Sequence, residues 1–248
     1  MLRGVLLGEG GWGPKGGGSW RRVRGEGRRE VEADAGESGG VSVKAREELI
    51  ALLRRRGVKD ERVLGAMGRV PREVFVPSEV VDEAYRDVPL PIGRGQTISQ
   101  PFIVAEMTAA LAIEPGARVL EIGTGCGYQT AVLVELGAAV FTIELEPELG
   151  ASARERLLGL GYHGVEFRVG DGSKGWPEAA PFDAILCAAA AREVPSAWLE
   201  QLAHGGRMCL PIGADGEEQE LVLVVRGNDG TARRSSLGAV RFVPLRGG

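Results

Sequence analysis

The chain is 248 residues long, 44% hydrophobic and 26% charged, with a formal net charge of −4 at pH 7. That is enough for one sizeable core plus appendages, and the interspersed acids and bases exclude the basic footprint of a protein that binds nucleic acid or an anionic membrane. Three cysteines (Cys126, Cys187 and Cys209) do not make a disulfide framework and point to the cytoplasm, while no apolar stretch approaches the ~20 residues of a membrane span.

Residues 1–41 are glycine-rich, with Arg21, Arg22, Arg24, Arg28 and Arg29 followed by Glu30, Glu32, Asp34 and Glu37. They show no helical or strand period and read as a disordered extension, an RNA-binding arm being the weaker reading because the acids nearly cancel the arginines. Ser42 is a candidate N-cap for a helix carrying Leu49, Ile50, Leu52 and Leu53 and ending at Gly57. Asp60 caps a second short helix with Val63, Leu64, Met67 and Val70, closed by Pro71. The proline-containing stretch 71–91 reads as extended cover, so residues 42–95 form an N-terminal helical cover and residues 96–248 a ligand-binding core. From there the pattern predicts helix 102–112, strand 118–122, helix 128–136, strand 139–143, helix 148–158 and strands 165–169 and 184–188. Helix 196–202 and strands 207–211 and 220–226 follow, and the short β-branched run 239–245 reads as an edge or antiparallel strand. Such alternation predicts an α/β fold, a mainly parallel sheet with helices on both faces.

The run Val119-Leu-Glu-Ile-Gly-Thr-Gly-Cys-Gly127 reads as a buried strand whose glycines open onto a helix N-terminus, where backbone N–H groups can meet a nucleotide-like ligand. Its G-x-G-x-G spacing, preceded by Glu121, differs from the G-x-G-x-x-G of dinucleotide folds. It resembles the loop of Rossmann-like class I S-adenosylmethionine-dependent methyltransferases, with Gly123 and Gly125 against the cofactor. An ordinary strand-to-helix turn gives short glycine motifs too, so the flanking chain has to agree. Glu144 ends the next strand, 21 positions after Gly123, where doubly wound folds place an acid against ribose hydroxyls. Asp171, in Gly170-Asp-Gly172, falls where an adenine edge sits, although Asp-Gly is also a common turn pair. Glu121 lies inside an apolar strand and needs a partner, expected to be the ammonium of the cofactor's methionine or a loop N–H.

The acceptor side is carried by Gly95-Gln-Thr-Ile-Ser-Gln-Pro101. Together with Val70-Pro-Arg-Glu-Val-Phe-Val76, Pro89-Leu-Pro-Ile-Gly93, Pro181-Phe-Asp-Ala184, Leu210-Pro-Ile-Gly213 and Val240-Arg-Phe-Val-Pro-Leu245, it makes the chain closely similar to protein-L-isoaspartate O-methyltransferases from about residue 45 to 245. The resemblance implies S-adenosylmethionine as cofactor and isoaspartyl-containing proteins and peptides as substrate. It makes Ser99 the active-site serine, sets Gln96, Thr97 and Ser99 against the transferring methyl, and supports Glu121, Gly123, Glu144, Asp171 and Gly172 as cofactor contacts. No metal, no nucleic-acid or membrane partner, and a monomer are expected. Two departures stand out: Cys187-Ala-Ala-Ala190, with Ala188 where many members carry threonine, and the extension 1–41, which has no family counterpart.

Ser99 also fits a purely structural role, capping the helix after Pro101. A carboxylate acceptor is already ionised at neutral pH, so no general base is required, in keeping with two histidines, His163 and His204, expected in solvent-facing loops. The loop Val194-Pro195 and the cover around residues 89–95 are expected to form the cleft over the peptide. Readings that compete are a methyltransferase of this fold acting on RNA or a small molecule, a nicotinamide-dependent oxidoreductase, and a cofactor-binding regulatory protein without activity.

Overall fold

The computed structural model describes residues 38–247, and side chains from Val43 onward. Most of the extension 1–41 therefore lies outside the described residues. Its end does not: helix α1 (Ser38–Arg55) starts four residues before Ser42. Helix α2 (Glu61–Arg69) begins where expected, because the Asp60 carboxylate accepts from the N–H groups of Arg62 and Val63 at 2.9 and 3.2 Å. The expected extended cover contains two 3₁₀ turns, Arg72–Phe75 and Ser78–Glu83, and leads into a hairpin of β1 (Leu90–Gly93) and β2 (Gln96–Ile98). Helix α3 (Pro101–Leu111) follows, with proline at its first position, where no N–H is needed.

The core alternates β3 (Arg118–Ile122), α4 (Tyr128–Glu135), β4 (Ala139–Glu144), α5 (Pro147–Gly159), β5 (Glu166–Val169), β6 (Phe182–Cys187), α6 (Ser196–Gln201), β7 (Leu202–Ile212), β8 (Gln219–Arg226) and β9 (Ala232–Val240). They build one seven-stranded sheet in the order β5-β4-β3-β6-β7-β8-β9. Strands β5 to β7 run parallel and β8 and β9 are antiparallel. The chain leaves β3 outward to β4 and β5, then returns to β6 on the other side of β3. This is a topological switch point, and ligands in open α/β sheets sit in the crevice at the strand ends there.

Side chains alternate across the sheet as a doubly covered strand requires. Val119, Ala184 and Leu186 pack with α1 to α4 and with Leu157 of α5. Leu120, Ile122, Ile185 and Cys187 face the other way, against Trp198 of α6 and the segment around Trp176. Among the described residues the two faces are thus covered unequally, α1 to α5 on one side and α6 on the other. The expected strand at 239–245 lies elsewhere: β9 ends at Val240, and the chain beyond it makes only an isolated bridge to Ala190. His204 belongs to β7 rather than a loop, and both it and His163 are exposed.

Candidate active site at the switch point

The glycine loop joins β3 to α4. Gly123, Gly125 and Gly127 all have positive φ, 90°, 56° and 92°, which side chains rarely adopt. At Gly127 space is short as well, since a Cβ there would stand 2.9 Å from Leu157 Cδ1 of α5. Glu144 ties the end of β4 to this loop: Oε2 accepts from Gly125 N–H at 2.8 Å and Oε1 from Glu146 N–H at 3.0 Å. Each oxygen keeps a further lone pair for a ligand hydroxyl.

Under the loop runs a buried chain of oxygens. Thr124 Oγ1 lies 2.6 Å from Thr142 Oγ1, and Glu121 Oε2 accepts from Thr142 at 2.7 Å and Thr130 at 2.5 Å. Glu121 has no exposed surface, and its Oε1 has no partner among the described residues. Burial pushes its carboxyl up to about 7; the two threonine hydroxyls work against that shift and the Glu144 charge adds to it. An ammonium or a loop N–H is the expected partner of Glu121; the partners found are Thr130 of α4 and Thr142 of β4, both on Oε2, since alternation puts the side chain on the face opposite Leu120 and Ile122.

Above the loop and Glu144 lies a cavity of about 450 Å³, of a size that takes a small-molecule ligand. Gln96, Thr97, Ser99, Gly123, Gly125, Glu144 and Gly172 line it, so the segment after Gly95 and the glycine loop open on one space. Glu121 and Asp171 are not on its wall. The Asp171 carboxylate turns to Ser173 N–H at 2.9 Å and caps the 3₁₀ turn Gly172–Lys174. A Cβ on Gly247 would come within 2.1 Å of its Oδ1, so the end of the chain passes beside it. Gly172 is pressed onto the sheet, where a Cβ would stand 2.5 Å from Ile122 Cγ2, and its carbonyl accepts from Trp198 Nε1 at 2.9 Å.

Ser99 does not cap α3. The first turn is capped by Asp87, whose Oδ1 accepts from Phe102 N–H at 2.8 Å, while Gln100 at the N-cap makes no such bond. Gln100 Nε2 in turn donates to the Asp87 carbonyl at 2.9 Å. The Ser99 hydroxyl is left for the cavity, and the Ser99 carbonyl accepts from Arg72 Nη2 at 2.9 Å.

Pro89 joins the cavity wall as expected, whereas Val194 and Pro195 do not; Pro195 sits at the N-cap of α6. The wall that sequence reasoning missed is residues 241–246. They cross from β9 over the strand ends, held by Phe242 N–H to Gln219 Oε1 at 2.7 Å and by two 2.8 Å backbone bonds with Ala190. Arg246 reaches Glu146 at 3.1 Å. The signal lies in Phe242, Val243 and Leu245, part of the run that reads as a strand. Ala188 also lines the cavity.

A family model for protein-L-isoaspartate(D-aspartate) O-methyltransferase matches residues 44–248. A protein-L-isoaspartate O-methyltransferase 2 of Polaromonas sp. is 51% identical over 207 residues, covering 81% of this chain and 98% of that protein. A Methylorubrum populi protein-L-isoaspartate O-methyltransferase is 56% identical over 190 residues, 77% and 89% of the two chains. Among solved structures, a protein-L-isoaspartate O-methyltransferase superposes with a TM-score of 0.75 at 32% identity, covering 82% of this chain and 66% of its own. A Plasmodium falciparum protein named as a beta-aspartate methyltransferase, in complex with S-adenosyl-L-homocysteine, gives 0.71 at 25% identity, with 81% and 98% covered. The match runs through the glycine loop, the segment after Gly95 and the cavity wall at 241–246: the chain belongs to the protein-L-isoaspartate O-methyltransferase family.

Proposed function

We propose that this chain uses S-adenosylmethionine to methylate the free α-carboxylate of L-isoaspartyl residues in damaged proteins, the step that initiates their repair. The observation that carries this reading is the single cavity shared by the glycine loop with Glu144 and by the Ser99 segment.

The cavity fits the cofactor. Glu144 offers two oxygens with spare lone pairs at the ribose position, Gly123 and Gly125 give a floor without side chains, and Gly172 gives a flat edge for the adenine. When bound, S-adenosylmethionine supplies an electrophilic sulfonium methyl. The residues of the chain do the rest by holding and drying. Gln96 and Thr97 flank the acceptor position, and Ser99 Oγ donates to one oxygen of the acceptor carboxylate, aiming the other along the line of attack. The acceptor needs no base, since a carboxylic acid of pKa ~4 is ionised at neutral pH. Hairpin β1–β2 roofs the site, with Ile92 Cδ1 3.5 Å from where a Gly125 Cβ would be, and residues 241–246 close another side against water. Glu121 and Asp171 act behind the wall, Glu121 by bracing the loop through Thr130 and Thr142 and Asp171 by shaping the Gly172 turn.

We read the protein as a cytoplasmic monomer without nucleic-acid or membrane partners. The net charge of −4 and three buried, free cysteines support this reading. No helix among the described residues is long and apolar enough to cross a membrane. The test of function is transfer of labelled methyl from S-adenosylmethionine to matched isoaspartyl and aspartyl peptides. Turnover of the isoaspartyl peptide alone is expected; equal rates on both would contradict repair specificity.

A further inference from the structure

Arg72 is the one fully buried cation among the described residues, and no carboxylate pairs with it. Its Nε donates to the Ala84 carbonyl at 2.8 Å and its Nη2 to the Ser99 carbonyl at 2.9 Å, while Nη1 is buried without a partner among the described residues. The guanidinium carbon stands 4.7 Å from the centroid of the Tyr128 ring, and Tyr128 is the first residue of α4, directly after the glycine loop. One rigid, planar group thus touches the N-terminal cover, the acceptor segment and the helix that the donor loop opens. A buried charge is costly, and where only space has to be filled an apolar side chain does so more cheaply. What a guanidinium adds is a fork of donors with fixed directions, which a lysine lacks. Ser99 itself lies between β2 and α3, in neither element, and its side chain is left to the cavity, so its carbonyl is the part of it that Arg72 holds.

We propose that Arg72 is a positioning residue for methyl transfer: by holding the Ser99 carbonyl against Ala84 and Tyr128, it sets the direction of the Ser99 hydroxyl relative to the glycine loop. This rests on Ser99 orienting the acceptor carboxylate. Arg72 itself is not on the cavity wall, so its effect falls on acceptor alignment and leaves cofactor binding alone.

The test is Arg72→Lys, alone and combined with Ser99→Ala. A lysine keeps the charge but lacks the planar fork whose Nε and Nη2 reach the Ala84 and Ser99 carbonyls in fixed directions. The single variant is expected to lose about 10²-fold in kcat/KM for an isoaspartyl peptide. Its calorimetric Kd for S-adenosylhomocysteine should stay within about threefold of the parent. In the Ser99→Ala background the same replacement should add less than about threefold, since the group it acts through is gone. Unchanged turnover, full multiplication of the two losses, or a parallel loss of cofactor affinity would each overturn the inference. Should Arg72→Lys not fold, wild-type protein labelled with ¹⁵N-arginine decides: the Arg72 side-chain N–H signals should shift on adding isoaspartyl peptide to the S-adenosylhomocysteine complex, and unmoved signals would overturn the proposal. If the wild type does not methylate the isoaspartyl peptide, or Ser99→Ala matches it, the functional reading itself fails and takes this inference with it.

Discussion

At the level of single residues, two side chains divide roles that the sequence assigns to one. Ser99 precedes Pro101 and reads equally well as a helix cap or an active-site hydroxyl; the cap is Asp87, twelve positions upstream in the cover. Asp87→Ala should therefore cost about 1 kcal/mol of stability, as caps do. Ser99→Ala should leave the denaturant midpoint unchanged. A midpoint that drops with Ser99→Ala would return the cap to Ser99. Glu121 gives a second prediction. Its folded carboxyl, at about 7, holds the proton more tightly than the ordinary 4.5, so stability falls as pH rises through that window. Fully buried, it stands to cost of the order of 3 kcal/mol above pH 7. Thermal melts should show the wild type losing more stability than Glu121→Gln between pH 5 and 8; parallel losses would mean that Glu121 does not titrate there. Its partners were illegible because a strand pattern shows that a carboxylate is buried but not that Thr130 and Thr142 converge on it.

Elements were legible where burial imposes a period. Strand β3 runs over the expected 118–122, and β4, α4, α5 and α6 lie within a residue of their expected ends, because both faces of the sheet are packed and turn signals bound each run. Strand β9 was missed for the converse reason. Residues 232–239 are exposed at every position, so Arg233, Arg234, Ser235 and Ser236 carry no alternation to read. The apolar run that follows looks like a strand but is apolar because it closes the cavity. The start of α1 was hidden by Gly39 and Gly40, poor helix formers. A chain ending at Val240 should keep the sheet, since its bonds to β9 are untouched, yet bind S-adenosylhomocysteine at least about tenfold more weakly for want of that wall. Calorimetric titration against the full chain decides it, and equal affinity would mean that residues 241–246 contribute nothing to cofactor binding.

Across the whole molecule, the site follows from topology. The reversal of strand order at β3 opens a crevice at the strand ends, and the glycine loop and Glu144 flank it. The N-terminal cover then brings Ser99 to the same crevice from the heavily helical face, which alternation within the core could not foretell; only the segment after Gly95 carried that information. The central claim is that donor and acceptor halves, separate in sequence, share one cavity with separable duties. Steady-state kinetics of Glu144→Ala and Ser99→Ala with both cosubstrates varied tests it most directly. Glu144→Ala should raise the KM for S-adenosylmethionine by about 10- to 100-fold with the peptide KM little changed. Ser99→Ala should lower kcat/KM for the isoaspartyl peptide and leave the affinity for S-adenosylhomocysteine intact. Loss of both affinities together in either variant, or an unimpaired Ser99→Ala, would contradict the account.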